Sequence, residues 1–164
     1  MAEHRILFVC LGNICRSPMA EGVFRRVADD AGKLHLFEID SAGMGDWHQG
    51  QAPDHRAQKA AHGRGVDISA QSARKIELED FDDFDLVLAM DGANIADLED
   101  IVPHAARHKI RRFLDYAPHL DADDVPDPYY GGTAGFDHAL DLIEAAAKGL
   151  LADLTTRAKQ AKTD

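Results

Sequence analysis

The chain has 164 residues, 45% hydrophobic and 29% charged, a globular balance that excludes disordered, collagen-like and coiled-coil classes. Lys plus Arg is 18 and Asp plus Glu is 29, a net charge of −11, so nucleic acid and anionic membranes, which need a basic footprint, are not expected partners. Two cysteines, Cys10 and Cys15, are too few for a disulfide scaffold or a four-cysteine zinc site. The longest apolar run near the N-terminus, Ile6 to Leu11, is too short for a secretory leader or a membrane span. The expectation is one domain over residues 1–164, cytoplasmic, with the last few residues frayed.

Ile6-Leu7-Phe8-Val9 is a continuous apolar run, as in a strand buried on both faces. Leu11 to Ser17 follows as a loop containing glycine. Ala20, Val23, Phe24, Val27 and Ala31 then recur at helical spacing. Ser17 as N-cap, Pro18 as first helical residue and Gly32 as stop bound that helix. Leu36 to Ser41 reads as a second strand, Asp54 to Gly63 as a helix, and Leu86 to Met90 as a buried strand. Ala93 to Ile101 reads as a helix and Ile110 to Leu114 as a fourth strand. Asp115 to Gly132 is rich in Asp, Pro and Gly and reads as a long loop, a length that often carries function. Leu140, Ile143, Ala147, Leu150 and Leu154 form one apolar stripe on a C-terminal helix beginning near Phe136. Strands alternating with helices predict an α/β fold, a four-stranded parallel sheet with helices on both faces, Rossmann-like or flavodoxin-like. Ligands of such sheets sit beyond the carboxyl ends of the strands, where the stretch after Val9 lies.

That stretch is Cys10-Leu11-Gly12-Asn13-Ile14-Cys15-Arg16-Ser17. A thiol ends the strand, and an arginine and a serine open the helix. A loop running into a helix start points backbone N–H groups inward and makes an anion-sized concavity. Gly12 and Asn13 are residue types that tolerate positive φ, so the loop can curl. Arg16 offers a planar fork to two phosphate oxygens, and a cation at a helix start opposes the dipole unless an anion is bound. The same field favours a Cys10 thiolate, and a phosphate cradle with a thiolate at its base is a phosphatase nucleophile. The plainer reading of each cysteine is a small buried apolar residue.

Val9 to Pro18, VCLGNICRSP, resembles the signature of the low-molecular-weight protein tyrosine phosphatases. Asp46-Trp47 with Pro53-Asp54 resembles that family's second loop, and His62-Gly63 and Met90-Asp91 sit at matching positions. Val125-Pro126-Asp127-Pro128-Tyr129-Tyr130-Gly131 resembles its general-acid loop. Two stretches depart from the family pattern: Gly63 to Val66 is longer, and Ala122 to Asp124 add acidic residues before the acid loop.

The resemblance implies phosphotyrosine hydrolysis through a cysteinyl-phosphate, with Cys10 as nucleophile, Arg16 binding phosphate and Asp127 as acid. Leu11, Gly12, Asn13, Ile14, Cys15 and Arg16 would hold the phosphate, and Trp47, Tyr129 and Tyr130 would form the substrate pocket. Asn13 would brace the loop, Ser17 would stabilise the leaving thiolate, and His62 would support Asn13 or Ser17. Cys15 would be a reversible disulfide partner of Cys10. The expected substrate is a phosphotyrosine protein and the product inorganic phosphate, with no cofactor or metal, in a monomer. An arsenate reductase of the thioredoxin-coupled type needs further cysteines, and none follows Cys15. A non-catalytic phosphate binder on the same loop is the other alternative. The GK[ST] ending of a P-loop nucleotidase is missing.

Overall fold

The computed structural model describes residues 2–163, with side chains described up to residue 156. Four parallel strands, β1 (His4–Cys10), β2 (Phe37–Gly43), β3 (Leu86–Ala89) and β4 (Ile110–Arg112), form one sheet in the order β2-β1-β3-β4. The helices are α1 (Arg16–Asp30), α2 (His55–His62), α3 (Asp80–Asp83), α4 (Gly92–Ile101) and α5 (Thr133–Thr163). The chain steps outward from β1 to β2, then crosses back to β3 on the other side of β1. The carboxyl end of β1 is therefore the switch point where such sheets open a crevice.

The apolar run of β1 is continuous because both of its faces are covered. Ile6, Phe8 and Cys10 join the core under α1 and α5, with Phe24, Phe113, Leu140 and Ile143. Leu7 and Val9 join the opposite core, with Phe81, Val87, Ala89 and Leu98. The stripe Leu140, Ile143, Ala147, Leu150 and Leu154 is buried throughout, as its spacing predicts. Fraying was expected only at the end of α5, where side chains lie outside the described residues.

Several boundaries differ from the sequence reading. The first helix opens at Arg16, with Cys15 in the cap position and no side-chain cap, so Ser17 lies inside the helix. Its hydroxyl is engaged by the loop instead, as the site geometry explains. β4 ends at Arg112 because the chain turns at Phe113–Tyr116 into a single 3-10 turn that drops Phe113 and Leu114 into the core. Leu36 closes a 3-10 turn, and β2 continues to Gly43, in register with Cys10. The short α3 carries no hydrophobic period. It is fixed by Asp80, which accepts the Glu77 N–H at 2.7 Å and pairs with Arg74 at 3.0 Å. Among the described residues, no helix is long and apolar enough to cross a membrane.

Candidate active site

The loop from Cys10 to Arg16 closes on itself at the crevice. Asn13 adopts φ 57°, the left-handed conformation that Asn tolerates. Gly12 does not share it. A Cβ at Gly12 would meet the His48 side chain, with Cδ2 at 3.1 Å. Gly43, at the end of β2, lies flat on the loop: a Cβ would sit 3.0 Å from the Gly12 carbonyl carbon and the Leu11 oxygen. The turn at Asn13 aims its N–H at Cys10 Sγ, 3.3 Å away. Among the described residues, the N–H groups of Gly12, Ile14 and Cys15 have no protein acceptor. Backbone donors left free beside a helix start form an anion nest.

Cys10 Sγ lies 3.0 Å from Ser17 Oγ. The Asn13 side chain holds the arrangement. Its amide donates to Ser17 Oγ at 2.8 Å and Ser41 Oγ at 3.0 Å, and its carbonyl accepts the Arg74 N–H at 3.0 Å. Asn13 and Ser17 therefore both lie beside Cys10. His62 does not: it is exposed at the C-terminal end of α2, and the partners of Asn13 are Ser17, Ser41 and Arg74. The sequence reading missed Ser41 and Arg74. A serine in a strand and an arginine in a loop carry no motif of their own.

Arg16 is buried, its side chain 3% exposed. Nη1 donates to Asp91 Oδ2 at 2.5 Å and to the Val125 carbonyl at 2.9 Å, and Nη2 lies 3.6 Å from Asp127 Oδ2. Burial works against its charge, but Cys10, Asp91 and Asp127 outweigh burial and hold the guanidinium above its ordinary pKa. Asp91 thus orients the arginine, a stronger position than its sequence suggested. Asp91 Oδ1 also caps α4 by accepting the Asn94 N–H at 2.8 Å.

The loop after β4 is anchored on the same groups. The Val125 N–H donates to the Met90 carbonyl at 2.8 Å. Asp124 accepts the Gly92 N–H at 3.1 Å and pairs with Arg112 at 3.3 Å. Three residues on from Asp124, Asp127 Oδ1 accepts the Tyr129 N–H at 3.0 Å. The acid-rich departure from the family pattern therefore includes an anchor, Asp124.

Cys10, Leu11, Gly12, Ile14, Cys15, Arg16, Trp47, His48, Asp127, Tyr129 and Tyr130 surround a cavity of about 360 Å³. Trp47 and Tyr130 are exposed at its mouth. Trp47 folds back over Gly45, where any Cβ would lie 2.0 Å from Trp47 Cζ3. Tyr129 meets the Tyr130 ring edge-on, centroids 4.9 Å apart. Cys15 is a free, buried thiol like Cys10. Burial, then the Asp54 carboxylate, pushes the Cys15 thiol up, so it stays protonated at neutral pH. Among the described residues, no cluster of His, Cys, Asp and Glu could hold a metal ion.

Fold and cradle define a doubly wound α/β protein with a cysteine at the base of an anion nest. The family model "Low molecular weight phosphotyrosine protein phosphatase" matches residues 5–161, and the chain belongs to that family. A Streptomyces coelicolor low molecular weight protein-tyrosine-phosphatase is 47% identical over 154 residues, covering 91% of this chain and 92% of that one. The crystal structure of YfkJ from Bacillus subtilis superposes with a TM-score of 0.90 at 40% identity, covering 96% of this chain and 98% of that one. A protein tyrosine phosphatase from Entamoeba histolytica, solved with Hepes in the active site, also gives 0.90, at 38% identity and coverage of 93% and 97%.

Proposed function

We propose that the chain is a phosphotyrosine phosphatase acting through a cysteinyl-phosphate intermediate, with residues 1–164 as one catalytic domain. The carrying observation is that Cys10 and Arg16, at the two ends of one loop, and Asp127, from a segment distant in the chain, face one cavity, with Arg16 3.6 Å from Asp127.

The Cys10 thiolate attacks phosphorus in line, forming the S–P bond as the bond to the phenolic oxygen breaks. The free N–H groups of the loop and the Arg16 guanidinium hold the equatorial oxygens. Asp127 gives its proton to the departing phenolic oxygen, a role worth about 10²–10⁴-fold. The Asp127 carboxylate then takes a proton from water as the water oxygen attacks phosphorus. The S–P bond breaks, inorganic phosphate leaves, and the Ser17 hydroxyl stabilises the departing Cys10 thiolate. Trp47 and Tyr129 supply flat walls for a phenyl ring. The aromatic walls suit the ring of phosphotyrosine better than the short side chain of phosphoserine. Cys15 is assigned as the thiol that captures oxidised Cys10. A thiol-dependent enzyme of this kind suits the reducing cytoplasm, and we take it to work there as a monomer.

The test is hydrolysis of para-nitrophenyl phosphate from mildly acidic to mildly alkaline pH, with chelator, by wild type, Cys10→Ser, Arg16→Ala and Asp127→Ala. Turnover in wild type, its loss in Cys10→Ser, weaker binding and rate in Arg16→Ala and an altered high-pH limb in Asp127→Ala are expected. Turnover retained in Cys10→Ser overturns the mechanism. Phosphate binding without turnover in reduced wild type makes the chain a binder.

A further inference from the structure

Asp127 lies in a segment, residues 117–132, that contains neither helix nor strand. Its position therefore depends on discrete contacts. On the N-terminal side they are Asp124 and Val125, already described. On the C-terminal side they converge on Arg56.

Arg56 stands at the start of α2. Asp54, the cap of that helix, donates its own N–H to the Ile14 carbonyl at 2.8 Å, stitching α2 to the phosphate loop. The Asp54 carboxylate accepts Arg56 Nε and Nη2, each at 3.0 Å, and the Arg56 N–H at 2.8 Å. Two parallel bonds fix the plane of the guanidinium, which a single-point ammonium could not match. The Arg56 side-chain bonds hold the Asp54 carboxyl below the usual carboxylate range, so the clasp is ionic at neutral pH. The clamped plane lies over two rings: Phe136, in the core, at 4.9 Å, and Tyr129, on the cavity wall, at 5.3 Å. Both distances are within reach of cation–π attraction. Nη1 also reaches the Gly131 carbonyl at 3.5 Å. The chain of contacts then passes to the acid, because the Tyr129 N–H holds Asp127 Oδ1 at 3.0 Å.

We propose that Arg56 is a positioning residue for Asp127, acting through Tyr129 to couple the acid to the phosphate loop. The proposal rests on the phosphatase reading. It makes a claim that general loosening of the structure would not satisfy. Loss of Arg56 should impair proton donation and leave phosphate capture by Cys10 and Arg16 intact. The impairment then depends on how much the leaving group needs a proton.

The experiment measures kcat/KM, which reports formation of the cysteinyl-phosphate, for phenyl phosphate and for 2,4-dinitrophenyl phosphate. It compares wild type, Arg56→Met, Asp127→Asn and the double variant. General acid catalysis is worth about 10²–10⁴-fold, so a mispositioned acid in Arg56→Met should cost roughly tenfold on phenyl phosphate. The loss on the dinitrophenyl ester, whose leaving group departs without a proton, should stay under about threefold. In the Asp127→Asn background, Arg56→Met should cost nothing further, because the two act on one step. Arg56→Lys, the milder change, should show the same selectivity to a smaller extent. Equal losses on both esters, full additivity with Asp127→Asn, or no loss in either Arg56 variant overturns the role. If reduced wild type turns over neither ester, the phosphatase reading itself falls and the role with it.

Discussion

Asp91 divides its carboxylate between a helix and the site: Oδ1 accepts the Asn94 N–H at 2.8 Å and Oδ2 pairs with Arg16 Nη1 at 2.5 Å. One side chain therefore sets both the start of α4 and the direction of the Arg16 guanidinium. The two roles separate by substitution. Asn keeps the cap and loses the charge, whereas Ala loses both. Asp91→Asn leaves the buried Arg16 charge without that partner and is expected to lower the unfolding temperature, and Asp91→Ala loses in addition the ~1 kcal/mol typical of an N-cap. Both should lower kcat/KM by roughly tenfold to a hundredfold, the range expected when a binding group is misplaced by about 1 Å. Thermal unfolding beside aryl phosphate kinetics checks this. Wild-type kinetics in Asp91→Asn would show that the ion pair does not orient Arg16.

Asn13 is held by three partners from three segments while its backbone stays in the left-handed region. Asn13→Ala removes all three bonds and leaves a residue that tolerates φ 57° less well. The Arg74 N–H loses its acceptor, at about 1–3 kcal/mol for a group left unsatisfied, while the Ser41 hydroxyl keeps its hydrogen bond with Glu21. A fall in unfolding temperature together with a fall in kcat is expected. Asn13→Gly, which restores the backbone freedom but not the bonds, should recover some stability and little activity. If Asn13→Gly matches wild type in kcat, the side-chain bonds are dispensable.

Much of this was legible in the chain itself. The run Ile6 to Val9 and the stripe on α5 follow from burial, which hydrophobic spacing records directly. Cys10 and Arg16 were singled out by the pattern of their loop and Asp127 by the resemblance of its loop to the family's, and the structure brings all three to one cavity. Asp91, Ser41, Arg74 and Arg56 were not assigned roles. Each acts across a long sequence separation, and each is a common polar residue whose meaning depends on what the fold brings beside it. His62 shows the reverse. A matching position in the sequence suggested support of the loop, yet the turn of α2 carries it out to solvent. Ser17 was read as a cap because Ser before Pro is a good helix start. The helix opens earlier, and the hydroxyl lies 3.0 Å from Cys10 Sγ instead.

Cys15 lines the same cavity as Cys10, and both are free thiols. Peroxide oxidises the Cys10 thiolate to a sulfenic acid, releasing hydroxide. Attack by the Cys15 sulfur would then form a disulfide and release water, and a dithiol would restore both thiols. In Cys15→Ser the sulfenic acid has no partner and goes on to the irreversible sulfinic acid. Wild type inactivated by hydrogen peroxide should regain activity with dithiothreitol, and Cys15→Ser should not. Equal recovery in the two proteins would rule out Cys15 as the protecting thiol.

Glu21 is a buried carboxyl on α1, only 7% exposed. Burial raises its pKa, opposed by hydrogen bonds with Ser41 and Arg25. Ser41 also receives the Asn13 amide, so Glu21 stands behind the cradle without lining the cavity. Its folded pKa lies above its unfolded one, and the sign of the effect on stability follows. Below the ordinary carboxylate range both states hold the proton and the contribution is complete. As pH rises through the raised folded value, the unfolded chain sheds the proton first and stability falls. Glu21→Gln lacks this dependence. The unfolding temperature of wild type minus that of Glu21→Gln should therefore decrease from about pH 4 towards neutrality, where carboxyls of raised pKa titrate. In a chain of this size each kcal/mol corresponds to roughly 2–4 °C. A difference that stays constant or grows over that interval would mean that the Ser41 and Arg25 contacts outweigh the burial of Glu21.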